Sequence, residues 1–298
     1  MLGQLSNAVV LGSIYLLFAL GLTLSWGVLS ILNLAHGSIF MFGAFSAYLI
    51  TREISDAIPL PVLVVIAAVI GAVLAALLQI LVYGPLLSRA QDKHAGELNV
   101  LIASIGVGLI PVAVALNLST AEVVNLPLSV TRTERHRWGS LAITNLQIAI
   151  VVLALVLTVA LWWWVSRTQT GRALRTIAHS PGTAELMGVP VARMSVITMA
   201  VSGALAGTAG LLLAANANAI EAHMGDGLLI KAFAVIILGG VGSVVGAAVG
   251  AFALAFAETG AVVWLSGDVR NIIAFALILI VLLVRPQGIF GQRAWQRA

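Results

Sequence analysis

Uncharged runs long enough to cross a bilayer constrain this chain more than any other feature. No Asp, Glu, Lys or Arg occurs between Met1 and Thr51, and similar stretches recur to the C-terminus. A transmembrane helix needs about 20 mainly apolar residues. Runs near 5–26, 29–50, 60–83, 98–117, 145–165 and 194–215 meet that length. The glycine-rich region 227–265 reads as two segments, near 227–240 and 244–265, and a last run lies near 271–284. The first of those two is short, and Gly-rich backbone at membrane depth survives only where protein or a cavity surrounds it. The expectation is an all-α, polytopic transmembrane helical bundle of about eight or nine spans with interrupted helices. It forms one domain over residues 1–298, with lipid as most of its solvent.

Composition excludes the alternatives. Hydrophobic residues make up 61% of the chain and charged residues 9%, against roughly 25% charged in soluble domains. So few charges cannot coat a soluble globule of 298 residues. The net charge is only +4 and the basic residues lie between apolar runs, so the basic balance does not indicate nucleic acid. Cysteine is absent, which excludes disulfides and thiolate metal sites. Met1–Trp26 has no charged n-region, so it reads as a first span rather than a removable leader.

The loops set orientation. With 84–97, 166–193 and 285–298 in the cytoplasm, nine of the fifteen basic residues lie inside. Arg52, Arg132, Arg135, Arg137, Lys231 and Arg270 then lie outside. The C-terminus is inside, and an odd span count puts the N-terminus outside. The outer loop 118–144 is long enough for a short hairpin, with Val123-Val124 and Leu141-Ala142-Ile143 as candidate strands. In the inner loop 166–193, Ser180 reads as an N-cap, Pro181 as the first helical residue and Gly188 as the stop. A short cytoplasmic helix over 181–187 follows.

Catalytic motifs are missing. No Gly-x-x-x-x-Gly-Lys-Ser/Thr occurs, so the chain carries no phosphate-binding loop of that kind. The five histidines are scattered, giving no expected metal site, and nothing points to a cofactor. The interruptions stand out instead. Asn33, His36, Gly37 and Ser38 break one apolar stretch, and Gly239, Gly240, Gly242 and Ser243 break another in the other half of the chain. Paired interruptions are the best sequence pointer to a transport path. Glu258 lies inside a span, where a carboxylate is costly and is either functional or a hydrogen-bonding partner for another helix. Gly203, Gly207 and Gly210 read as helix-packing residues, and Trp162-Trp163-Trp164 as an interfacial aromatic belt.

Four ordered segments carry a family resemblance. Asn33-Leu34-Ala35-His36-Gly37 resembles a signature of the branched-chain amino acid permeases of ABC importers, the LivH type. Gly171–Arg175 through Arg193 is similar to the family's coupling loop, Leu238–Ser243 to its second Gly-rich signature, and Arg285–Gly291 to its C-terminal ending. The resemblance spans essentially the whole chain. It implies a bacterial inner-membrane permease for branched-chain or related amino acids, with urea or short amides as the alternative cargo. It implies as partners a related second permease, two ATP-binding subunits and a soluble substrate-binding protein outside. Arg172, Arg175, Ser180, Pro181, Ala184, Glu185, Leu186, Met187, Gly188 and Arg193 are then the candidate ATPase-coupling residues. A stand-alone channel or secondary transporter is the rival, but it needs intramembrane carboxylates, and Glu258 is the clear one.

Overall fold

The computed structural model describes residues 2–54, 58–90, 92–119, 123–127, 134–138, 141–264, 276, 279, 281, 283 and 288–290. In chain order the helices are α1 (Leu2–Leu29), α2 (His36–Glu53), α3 (Leu60–Leu78), α4 (Gly84–Ser88) and α5 (Lys93–Ser119). A π-turn, Gln79–Tyr83, joins α3 to α4. After the hairpin β1 (Arg135–Trp138) and β2 (Leu141–Thr144) come α6 (Asn145–Arg167), α7 (Gln169–His179) and α8 (Pro181–Leu186). The remainder is α9 (Val191–Ala217), α10 (Met224–Gly239) and α11 (Val244–Trp264).

Six described helical segments are long and apolar enough to cross a membrane: α1, α3 through α4, α5, α6, α9 and α11. Two expected spans are shorter. The run 29–50 divides into the end of α1, an irregular segment at 30–35 and α2 of 18 residues, which ends in Arg52 and Glu53. The region 227–265 divides as expected, and its first part is α10 of 16 residues. Most of the last expected span, 271–284, lies outside the described residues.

Burial sorts the helices into a centre and a rim. The most apolar window of α1 is 89% buried and that of α9 67%, against 17% for α6 and 22% for α3. The rim helices expose Val65, Val69, Leu109, Val152 and Val159, side chains that match lipid. Small residues let the central helices touch. A Cβ on Gly71 would strike the Gly203 carbonyl, and one on Gly43 would strike the Gly207 backbone. The packing role read for Gly203, Gly207 and Gly210 therefore holds, because in lipid close backbone approach replaces the hydrophobic drive between helices.

The outer loop does form a hairpin, with a different pairing. β2 pairs antiparallel with β1, Trp138 opposite Leu141 and Arg135 opposite Thr144. Val124 instead forms an isolated bridge with Ile220, in the connection between α9 and α10. That bridge joins two loops at one end of the bundle, which residues adjacent in sequence could not do. Thr144 ends β2 and starts α6 in a capping box: its hydroxyl accepts from Gln147 N at 3.2 Å, and Gln147 Oε1 accepts from Thr144 N at 3.1 Å.

Candidate functional site

The first interruption folds back along α1. After Leu29 the chain leaves the helix through Ser30, whose φ is +55°. By His36 it has returned to Phe18, eleven residues and about 16 Å up the helix. His36 Nε2–H donates to the Phe18 carbonyl at 3.2 Å, and the two rings lie tilted by 35° with centroids 4.7 Å apart. A carbonyl only accepts, so the proton sits on Nε2. Asn33 Oδ1 accepts the Tyr83 hydroxyl at 2.7 Å, and Leu34 N donates to Ser104 Oγ at 3.1 Å. Ser38 Oγ donates to the Ala35 carbonyl at 2.9 Å. The π-turn turns Gln79 and Tyr83 inward, and such turns are frequent at functional sites. Asn33, His36, Ser38, Gln79 and Tyr83 are all buried. Asn33 Nδ2, His36 Nδ1 and Gln79 Oε1 keep no hydrogen-bond partner among the described residues.

The second interruption is made of backbone. Gly240 and Gly242 have φ of +99° and +79°, the region that suits glycine. Gly242 lies against Gly27 of α1, and Gly239 against Gly246 of α11. Ser243 Oγ accepts from Gly246 N at 3.0 Å and caps α11. Ile289 N and Phe290 N donate to the Leu238 and Gly239 carbonyls at 2.8 and 3.0 Å. The end of the fourth signature thus satisfies the free carbonyls of α10. Arg285, Pro286, Gln287 and Gly291 lie outside the described residues.

Helix α10 runs between the two interruptions. Its first turn packs Gly225 on Gly37, and its last residue is Gly239. Midway, Lys231 Nζ lies 3.0 Å from Glu258 Oε2, and both bond the Tyr15 hydroxyl: it donates to Glu258 at 2.8 Å and accepts from Lys231 at 3.0 Å. Lys231 also sits 5.2 Å from the centroid of the Tyr15 ring. Glu258 is 1% exposed. Sequence reasoning singled out Glu258 but counted Lys231 as an outer-loop charge; the structure places it inside the bundle. The missed signal was its position in the same apolar region as Glu258, since intramembrane charges pair.

The surface helix α8 is capped as expected. Ser180 Oγ accepts from Thr183 N at 3.3 Å, Pro181 opens the helix, and Gly188 at φ +79° closes it. Leu186 and Met187 are 89% and 76% exposed, and Glu185, Arg172 and Arg193 are also exposed. Two of the candidate coupling residues sit differently from the rest. Ala184 is fully buried because its helix packs that face inward, so it offers no surface to a partner. Arg175, though exposed, bends back and donates to the Val165 carbonyl at the end of α6. Its neighbours Gly171, Leu174 and Ile177 form the buried face of α7. Arg132 and the side chains of Arg135 and Arg137 lie outside the described residues. Among the described residues no group of three metal-ligating side chains gathers.

Apolar spans around two polar interruptions, with a capped helix presented between spans, define a multi-pass membrane permease. The chain belongs to the family described as the permease component of the branched-chain amino acid transport system, which matches residues 4–282. It is 31% identical to the high-affinity branched-chain amino acid transport system permease LivH of Escherichia coli strain K12, over 98% of this chain and 96% of the relative. Identity is 30% to the corresponding permease BraD of Pseudomonas aeruginosa, with the same coverage. The autoinducer 2 import permease LsrC of Enterobacter sp. strain 638 is 28% identical over 67% of this chain and 55% of its own length. No solved structure matches.

Proposed function

We propose that this chain is the membrane subunit of an ATP-driven importer that carries branched-chain amino acids across the bacterial inner membrane. The observation that carries the reading is the near-full-length similarity to permeases named for that transport. The chain lacks a phosphate-binding loop, so ATP is hydrolysed by two partner subunits. A related second permease completes the membrane unit, and a substrate-binding protein delivers cargo outside. Helix α8 is the element that meets an ATP-binding subunit, through Leu186 and Met187 with Glu185 as a charge beside them. Ala184 anchors that helix from beneath.

In this reading ATP-driven closure moves α8. The motion passes through α7 to α6 and through the chain at Val189 and Pro190 to α9. The first interruption lies where unwound backbone meets buried polar side chains, and it is the part able to rearrange without exposing helix backbone to lipid. Asn33, His36, Gly37, Ser38 and the Gly239–Ser243 turn shape the path, and Glu258 with Lys231 steadies the helix between them.

The test is reconstitution with the partner subunits and the binding protein, followed by uptake of labelled leucine. Uptake should require both ATP and the binding protein. Competition by unlabelled urea or acetamide as effective as by leucine would reassign the cargo, and uptake without ATP would overturn the importer reading.

A further inference from the structure

Beneath α7 lies a cavity of about 80 Å³, walled by α1, α6, α7 and the turn at Gly242. Leu24, Val28, Leu161 and Val165 make most of its surface apolar. Thr23 and Arg175 also line it, and they differ from the rest. Thr23 is 2% exposed, and its hydroxyl has no hydrogen-bond partner among the described residues. Other helical hydroxyls here bond the carbonyl one turn back: Ser13 to Val9, Thr158 to Ala154 and Thr198 to Met194. That is the ordinary resort of Ser and Thr within a helix. Thr23 forgoes it, and a buried hydroxyl without a partner is costly. Arg175 uses one donor on Val165 and has others left.

We propose that this cavity is a cytoplasmic binding site for a short branched aliphatic amino acid, and that occupancy slows import. The proposal rests on the cargo reading above. Arg175 supplies donors for a carboxylate, Thr23 an acceptor for an ammonium, and Leu24, Val28 and Leu161 an apolar seat for a branched side chain. Size favours this ligand. A water needs about 10–15 Å³ of such space, so the cavity holds roughly five to eight water-sized groups. That is the scale of a small amino acid and far below an acyl chain. Position supplies the consequence. A ligand here touches α7, which leads directly into α8, and also α1 and the Gly242 turn of the second interruption. It favours whichever conformation keeps those elements together, to the extent that it binds that conformation more tightly. Imported product therefore restrains further import.

The complete transporter, in phosphatidylcholine vesicles with ATP inside, tests this. Initial import of labelled leucine is measured with and without unlabelled leucine in the lumen, the cytoplasmic side. Lumenal leucine should slow import, whereas lumenal glycine, which has no apolar side chain, should not. Thr23→Val and Ala178→Leu leave every residue named for the path and for the exposed face of α8 in place, and inhibition in each variant is scored against that variant's own import into empty vesicles. Thr23→Val should need about fivefold more lumenal leucine for the same inhibition, the equivalent of one lost hydrogen bond. Ala178→Leu fills the cavity and should abolish inhibition. Import indifferent to lumenal leucine, or inhibition unchanged in both variants, overturns the proposal. So does inhibition that appears only when phosphatidylglycerol is added, which would assign the cavity to a lipid headgroup. If leucine is not imported at all, the cargo reading fails separately. Direct binding of labelled leucine to the wild-type permease but not to Ala178→Leu then supports the cavity, and equal binding or none overturns it.

Discussion

The two interruptions share a sequence signature, small and polar residues inside an apolar run, yet different chemistry holds each. Around Asn33–Ser38 the unwound chain is tied by side chains from two other helical segments, Tyr83 and Ser104, and by the Phe18 carbonyl. Around Gly239–Ser243 it is tied by backbone: Ile289 and Phe290 supply N–H groups, and glycines of α1 and α11 close against it. The first keeps three buried polar atoms, on Asn33, His36 and Gln79, without a partner among the described residues. Such atoms can take up water or a polar solute. The second has no room for even one added carbon at Gly239. One break is built to re-pair, and the other is built to stay closed while the helices around it move.

The largest effect should come from the tether between them. Glu258→Ala strands the Lys231 ammonium in the bundle, and stranding one partner of a buried pair costs about 3–5 kcal/mol. Folded permease in membranes should fall sharply. Lys231→Met combined with Glu258→Leu removes both charges and should recover most of the stability, measured by thermal unfolding of tryptophan fluorescence. Equal losses in the single and double variants would mean that α10 is held by packing alone, and that it does not rely on this pair to connect the two breaks.

A second pair of substitutions compares the breaks directly. On Gly246→Val, the new side chain would meet the Gly239 carbonyl, which cannot rotate aside. Overpacking of that kind costs about 3 kcal/mol or more where backbone is the obstacle. Asn33→Ala removes the acceptor of the Tyr83 hydroxyl and should cost about 1–3 kcal/mol. The valine variant should thus melt at the lower temperature. The alanine variant should fold but import more slowly, so the order of stability reverses the order of functional specificity. Valine tolerated at 246 would show that the second break opens readily, and the contrast would collapse.

Much of this architecture was legible in the sequence because lipid simplifies the rules. Spans follow from the length of apolar runs, and the bounds of α8 follow from Ser180, Pro181 and Gly188. Glycine in two halves of the chain marked both breaks. What the pattern could not carry was partnership across space. Lys231 is 27 residues from Glu258 and Tyr15 is 243 away, and nothing local links them. The π-turn at Gln79–Tyr83 is equally silent, because its residues read as ordinary apolar helix. Ala184 shows the same limit. Composition placed it on a surface helix, but only packing decides that it faces inward.

The smallest expected effect discriminates most finely. Ser104→Ala and Ser243→Ala each remove one hydroxyl that accepts a backbone N–H, from Leu34 and from Gly246. The energetic costs should match, at about 1 kcal/mol for each. Their consequences should not. Ser243 caps a helix whose neighbours are fixed by backbone contact, so its loss should shorten the lifetime of the fold and slow import less than the loss of Ser104 does. Ser104 holds the first break through Leu34, so its loss should free that segment. A cysteine placed at Leu34 should then react faster with a membrane-impermeant thiol reagent, an experiment that is clean because the chain has no native cysteine. The Ser243 variant should leave the labelling rate at Leu34 unchanged. If both variants accelerate it equally, the two breaks open together, and the division into a re-pairing break and a closed one does not describe how this permease moves.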